Sequence, residues 1–389
     1  MTIKGIFIMG VRRVCLGRIP RKNLRGNTRE FLRWYMNEIA RRYIPVFQAI
    51  AVLSIVISSC DILNSNKDDP TWQSLGFSDK YAIKLDIEKD FLYVAAGRDG
   101  LWKINLESGN ESWKYLGLGD NNLEKAPNSG VVDIDAVGDE LLVAYNPIHL
   151  DTMDIGCFFS PDGGNNWVRS DSGIASEDFP YYYLFSAQRS LINPDLGYAN
   201  NGSIFKTSNA GKNWYAITER GIYTQEIYLK WHSQICWFFG TSSFFAPILG
   251  YLDAIADTGR GFEMVKILPF VDNTCFDVTF DSTDPDVVYV GVFGMVIKTE
   301  DYGDTWKVPL FEHPQGGSFK AVEGHPTIHN LTFFAGGRTL FISHDGGKTH
   351  EVVNSPNDTQ IFDMIFDKAR NQLIMGTGNG IYIGRQFFN

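Results

Sequence analysis

Ser160-Pro-Asp162-Gly-Gly164-Asn-Asn-Trp167 decides the fold, because the same spacing returns three more times. It reads Thr207-Ser-Asn209-Ala-Gly211-Lys-Asn-Trp214, then Thr299-Glu-Asp301-Tyr-Gly303-Asp-Thr-Trp306, then Ser343-His-Asp345-Gly-Gly347-Lys-Thr-His350. The starts are 47, 92 and 44 residues apart, so the double interval requires a decayed copy in the middle. Ile255-Ala-Asp257-Thr-Gly259-Arg-Gly-Phe262 stands there in register. Asn105-Leu-Glu107-Ser-Gly109-Asn-Glu-Ser-Trp113 is an earlier copy with one extra residue. The motif suits a tight hairpin: the hydroxyl and the carboxylate accept hydrogen bonds from turn amides, glycine takes a positive φ, and tryptophan folds back between neighbouring sheets.

Apolar strands such as Val287–Val292 and Leu331–Ala335 precede each motif, followed by short strands such as Gly202–Lys206 and Met295–Lys298. Four-stranded units of 44 to 55 residues repeated around an axis predict an all-β propeller. The motif resembles the Asp-box (BNR) repeat, S/T-x-D-x-G-x-x-W, of sialidases, sortilin, photosystem II assembly factors and xyloglucan-cleaving glucanases. That resemblance implies that the boxes stabilise turns on the face opposite a ligand funnel, which makes the box aspartates structural. Thr71–Gly76 resembles the strand after a box, whereas Ile361–Phe366, Gln372–Gly376 and Gly380–Ile383 resemble the three strands before one. Pairing of these N- and C-terminal strands predicts a seventh four-stranded antiparallel blade, which makes residues 71–389 a seven-bladed propeller and lowers the expectation of a sialidase, since that family closes with six.

Residues 1–59 read as a leader. They hold 11 of the 35 Lys+Arg and 2 of the 45 Asp+Glu, and from Cys60 onward the charge is −19 against −10 for the whole chain. Arg41-Arg42, the apolar run Tyr43–Ile57 and Ser58-Ser59-Cys60 describe a secretory signal. The cysteine position resembles a bacterial lipobox, which implies lipidation of Cys60 and a place in the envelope of a Gram-negative bacterium, as an outer-membrane lipoprotein. The apolar run falls short of a membrane span. Met36 would give a signal of ordinary length, and residues 60–70 read as the lipidated cysteine and its polar tether. An acidic domain excludes nucleic acid as a partner.

Cys157, Cys236 and Cys275 sit beside apolar residues and match no zinc spacing, so they read as buried core thiols. His325 and His329 have i, i+4 spacing but lie between strands, and Gly376–Gly380 has no helix after it; neither metal nor cofactor is expected. Loops between blades, and between second and third strands, supply the candidate binding residues Arg98, Asp99, His149, Asp151, Tyr182, His313 and Arg338. Phe/Tyr-Arg-Ile-Pro, which marks sialidases, has a counterpart only at Gly17-Arg18-Ile19-Pro20, inside the leader. The expectation is a monomeric, lipid-anchored, non-catalytic propeller whose funnel binds a protein or glycan. The alternatives are a sialidase- or xyloglucanase-like glycoside hydrolase and a membrane-complex assembly factor.

Overall fold

The computed structural model describes residues 72–107, 112–119, 130–146, 156–174, 184–200, 203–217, 227–232, 235–242, 249–257, 262–267 and 275–385. The leader, Cys60 and its tether, and His149, Asp151, Tyr182 and Gly259 lie outside these residues. Asp69–Asn389 forms one compact unit. A three-residue 3-10 turn, Pro356–Asp358, is the single helical element among the described residues, and the rest of the regular structure is strand.

Twenty-eight strands build seven four-stranded antiparallel sheets among the described residues. In chain order, β1 is Trp72–Gly76, and the first sheet holds β2 (Lys84–Glu88), β3 (Phe91–Ala95), β4 (Leu101–Asn105) and β5 (Lys114–Gly117). The second holds β6 (Gly130–Val137), β7 (Glu140–Asn146), β8 (Gly156–Ser160) and β9 (Val168–Arg169). The third holds β10 (Ser186–Arg189), β11 (Gly197–Asn200), β12 (Ile204–Thr207) and β13 (Tyr215–Ala216). The fourth holds β14 (Ile227–His232), β15 (Ile235–Ser242), β16 (Leu249–Asp257) and β17 (Phe262–Ile267). The fifth holds β18 (Cys275–Phe280), β19 (Val288–Val292), β20 (Met295–Thr299) and β21 (Lys307–Glu312). The sixth holds β22 (Phe319–Gly324), β23 (Thr332–Gly336), β24 (Thr339–Ser343) and β25 (Glu351–Asn354). The seventh holds β26 (Ile361–Asp367), β27 (Gln372–Thr377) and β28 (Gly380–Gly384), and its fourth strand is β1, with Trp72 opposite Gly384.

First strands neighbour one another in cyclic order, β2 beside β6 and so on to β26, which lies beside β2. Second strands such as Val288–Val292 and Thr332–Gly336 are continuous apolar runs buried on both faces, whereas fourth strands such as β9 and β25 are largely exposed. The core is therefore layered between sheets. Ile374, Ile381 and Ile383 of the seventh sheet pack with Leu85, Leu92 and Val94 of the first. Tyr93 and Leu116 meet Val131, Ile134 and Val143 one sheet on. Each such side chain, fully buried, contributes about 1.5–3 kcal/mol.

The box turns explain the repeat. Ser160 Oγ accepts from the Gly164 amide (2.9 Å) and donates to Asp162 Oδ1 (2.9 Å), while that oxygen accepts from the Asn166 amide (2.8 Å). Thr207/Asn209, Thr299/Asp301 and Ser343/Asp345 repeat the pattern. Gly164, Gly211, Gly303 and Gly347 all have φ between +86° and +91°, a conformation that costs glycine little. The Trp113, Trp167 and Trp214 indoles donate to Leu75, Leu116 and Ser170 carbonyls of the preceding sheet's outer edge. Trp306 instead bonds Gly303 O of its own turn (3.2 Å), and His350 fills the last position by stacking on Phe311 of β21.

The middle copy departs from this plan. Third strands elsewhere stop at Ser160, Thr207, Thr299 and Ser343, but β16 runs two residues further in register, to Asp257, which pairs with Phe262. Ile255 stands at the hydroxyl's place in the motif, so this copy lacks the hydroxyl acceptor, and the ladder continues to Asp257. In the first copy, Asn105 Oδ1 takes the hydroxyl's part by accepting from the Glu107 amide (2.8 Å).

Candidate functional site

Antiparallel order puts the first-to-second-strand turns, such as β2–β3, and the box turns of the described sheets at one end, here called the box end. Second-to-third-strand turns and the connections between sheets lie at the other, the mouth. First strands line the space between the two, and their polar residues converge there. Asp363 Oδ2 accepts from the Leu85 amide (2.8 Å), Asp277 Oδ2 from Val322 (2.8 Å), Asp133 Oδ2 from Ala187 (3.2 Å) and Asp86 Oδ2 from Ala136 (2.7 Å). Each carboxylate thus reaches the first strand of the next sheet around the cycle. Lys84 pairs with Asp363 at 3.1 Å, and Lys230 lies 3.4 Å from Glu323 and 3.8 Å from Asp277.

Burial dominates the titration of this cluster. Loss of water, with Asp135 nearby, pushes the Asp86 carboxyl up to about 8, and desolvation raises Asp133 to about 6 against the pull of Lys84. Asp135, Glu323 and Asp363 also move up through burial. Burial opposes the charge on Lys84, but the carboxylates of Asp363, Asp277 and Asp133 outweigh it and hold the ammonium. Chemically the set is a plug in which carboxyl groups outnumber the Lys84 and Lys230 ammonium groups and the aspartate oxygens are engaged by neighbouring amides.

Above the plug, register slips insert one extra residue near the mouth end of four first strands: Val132, Phe276, Lys320 and Phe362. All four are half-buried, as is Phe185 just before β10. Tyr81, 41% exposed, meets Phe362 edge-on at 5.7 Å, and Lys320 Nζ stands 5.9 Å over the same ring. Gly378 lies beneath both rings, where a Cβ would touch Phe362 at 3.4 Å and Tyr81 at 3.6 Å. Phe293, 57% exposed, adds an aromatic at the β19–β20 turn.

The sequence-predicted residues fare unequally. Arg98 and Asp99 do sit in the β3–β4 turn at the mouth, both half-buried, and Trp102 donates its indole N–H to Asp99 O (2.7 Å). Arg338 is also at the mouth, in an exposed ion pair with Asp358 (2.8 Å). His313 is not available to a ligand: it is 9% exposed, its Nδ1 accepts from the Gln315 amide (3.1 Å) and its Nε2 faces Gly336 O (3.2 Å). Phe319 and Phe341, edge-on at 5.3 and 5.5 Å, draw the ring into the core. His149, Asp151 and Tyr182 fall outside the described residues. His325 is buried and accepts from the Thr327 and Ile328 amides, while His329 faces Asp281 at 3.1 Å, so the pair fastens loops. Cys157, Cys236 and Cys275 are buried free thiols.

Tyr81, Lys320, Phe276 and Phe362 were missed by reading loops alone. Phe276 and Phe362 share a signal, an apolar residue directly before the first-strand aspartate, as also in Val132-Asp133, whereas Tyr81 and Lys320 carry no such mark.

No family model matches the sequence, and no curated protein matches it either. Solved structures do resemble the fold. YCF48 bound to D1 peptide superposes with a TM-score of 0.59 at 14% identity, over 82% of this chain and 98% of that one. The Niastella koreensis GH74 enzyme gives 0.61 at 16%, over 82% of this chain, which spans only 54% of the enzyme. The extracellular domain of BT4673 from B. thetaiotaomicron gives 0.56 at 12%, over 81% of this chain and 40% of that one. Likeness at these identities establishes the fold, and the described sheets are those of a β-propeller.

Proposed function

We propose that the seven sheets are the blades of a single propeller closed by the β1–β28 pairing, and that the mature protein is an envelope lipoprotein anchored at Cys60. Its mouth binds an extended protein segment or a glycan without chemical turnover. The observation that carries this reading is the ring of half-buried bulge residues, with Tyr81 and Phe362 exposing aromatic surface above a plugged axis. Flat apolar rings beside the Lys320 cation suit side chains or sugar faces, and such anchors dominate binding energy in other interfaces. A peptide-bound neighbour of the same fold is in keeping with a protein segment as ligand.

The test is binding of the mature chain to glycan arrays and peptide libraries, alongside the Tyr81→Ala/Phe362→Ala variant. Loss of two anchoring rings should weaken retention by roughly thirtyfold or more, at about 2 kcal/mol or above. Equal binding by both proteins would refute the site. Hydrolysis of a sugar substrate would replace binding by the glycosidase reading, for which one observation speaks: Asp86, pushed up to about 8 beside Asp135, holds a proton at neutral pH as a general acid must. In that case Asp86→Asn abolishes turnover.

A further inference from the structure

We propose that the box end of the domain rests on the lipid bilayer, with Leu191, Ile192 and Ile328 at its headgroup zone, so that the mouth looks away from the membrane; this rests on the reading of Cys60 as the lipidated residue. Two observations converge on it, and a third sets which lipids allow it. First, β1 runs antiparallel to β28 with Trp72 opposite Gly384, so the chain reaches the domain at the box end. Cys60 and Trp72 are twelve residues apart. A chain of that length reaches about 40 Å at full extension. The rise of β1 alone is about 17 Å, with turns at both ends of the sheet besides, so laying the mouth on the bilayer would use up about half of that reach, whereas the box end needs none of it.

Second, the box end carries large apolar side chains at turn tips. Leu191 is 72% and Ile192 59% exposed in the β10–β11 turn, and Ile328 is 41% exposed in the β22–β23 turn. Ser190 Oγ accepts from the Ile192 and Asn193 amides (3.3 Å each), which fixes the tip that presents them. In the cyclic order the third sheet stands across from the sixth and from the seventh, where the tether arrives. Apolar tips and tether therefore support opposite sides of one face.

Third, that face is anionic. Turn amides and hydroxyls keep Asp162 below the usual carboxylate range and Asp301 and Asp345 at about 2, so all three are charged at neutral pH. An anionic leaflet repels such a face and a zwitterionic one does not. Apolar tips and the acyl anchor, rather than charge, supply the contact.

The full-length chain, processed in a bacterial host and reconstituted into phosphatidylcholine vesicles carrying headgroup-proximal spin-labelled lipid, tests this. A fluorophore is placed at Ile192→Cys or at Tyr81→Cys, both exposed sites, while the three native core thiols are buried. The expected result is several-fold stronger quenching at position 192 than at 81, reduced when phosphatidylglycerol is added. Flotation with the vesicles but equal quenching at both positions, or stronger quenching at 81, overturns the orientation alone. Failure of the unsubstituted chain to float, matching Cys60→Ala, overturns the anchor and the orientation with it.

Discussion

A box turn works because one hydroxyl does three things. Ser160 Oγ, fully buried, accepts from the Gly164 amide and, more distantly, from that of Asp162, and donates to the Asp162 carboxylate. Ser160→Ala leaves the Gly164 amide buried and unpaired, which should cost about 1–3 kcal/mol in urea unfolding. Thr at the same position should be tolerated, since Thr207 and Thr299 already serve there. Asp86 behaves oppositely, because burial makes it a destabilising charge. Its folded value of about 8 against 3.8 means that the native state holds the proton more tightly than the unfolded chain. Stability contributed by that proton is complete below about pH 4 and declines as pH rises towards 8. Asp86→Asn does not titrate, so its melting temperature relative to the parent should rise across that window, as thermal scans at successive pH values would reveal. A flat difference would show that the carboxyl is not desolvated. His313 carries a different lesson: a histidine in a polar-looking loop is drawn inward when two phenylalanines of the next sheet, Phe319 and Phe341, lie within reach.

Between elements, polar staples supplement the apolar layers. Arg189 is completely buried, pairing with Asp135 and Glu140 and donating to the Asp135 and Glu140 carbonyls (3.0 and 3.1 Å). It thereby locks the third sheet to the second. Arg189→Ala leaves the buried Asp135 without its cation, a loss of about 3–5 kcal/mol measurable by chemical unfolding. Lys103 and Lys298 repeat another staple, each donating to a glycine carbonyl in the next sheet's box turn, Gly163 and Gly346, at 3.3 Å. Strand identities and box turns were legible from spacing, since period and turn chemistry are local properties. Staples were not, because residues such as Arg189 and Glu140 are 49 positions apart and only the packing of one sheet on the next brings them together.

For the molecule as a whole, the join between the C-terminal strands β26–β28 and the N-terminal strands β1 and β2 is the one that chain connectivity does not supply. It is fastened by Lys84 and the Leu85 amide on Asp363, by Arg370 bridging Asp367 and Asp90, and by β1 on β28. A chain starting at Phe77 would lose β1, the Leu75 carbonyl that Trp113 bonds, and the packing of Trp72 on the sixth and seventh sheets. It should melt about 5–10 °C lower and associate through the bared β28 edge, visible by light scattering. An unchanged melting temperature would mean that β1 adds nothing to the closing sheet.

The sequence by itself determined the repeat length, the all-β class, the turn chemistry and the acidic character of the domain, because each is encoded within a window of a few residues. Only the tertiary structure decided which polar residues meet on the axis, which aromatics stand at the mouth, and that His313 is core while Tyr81 is surface. Those outcomes depend on seven sheets converging, so that residues hundreds of positions apart, Lys84 and Asp363 among them, share one desolvated space.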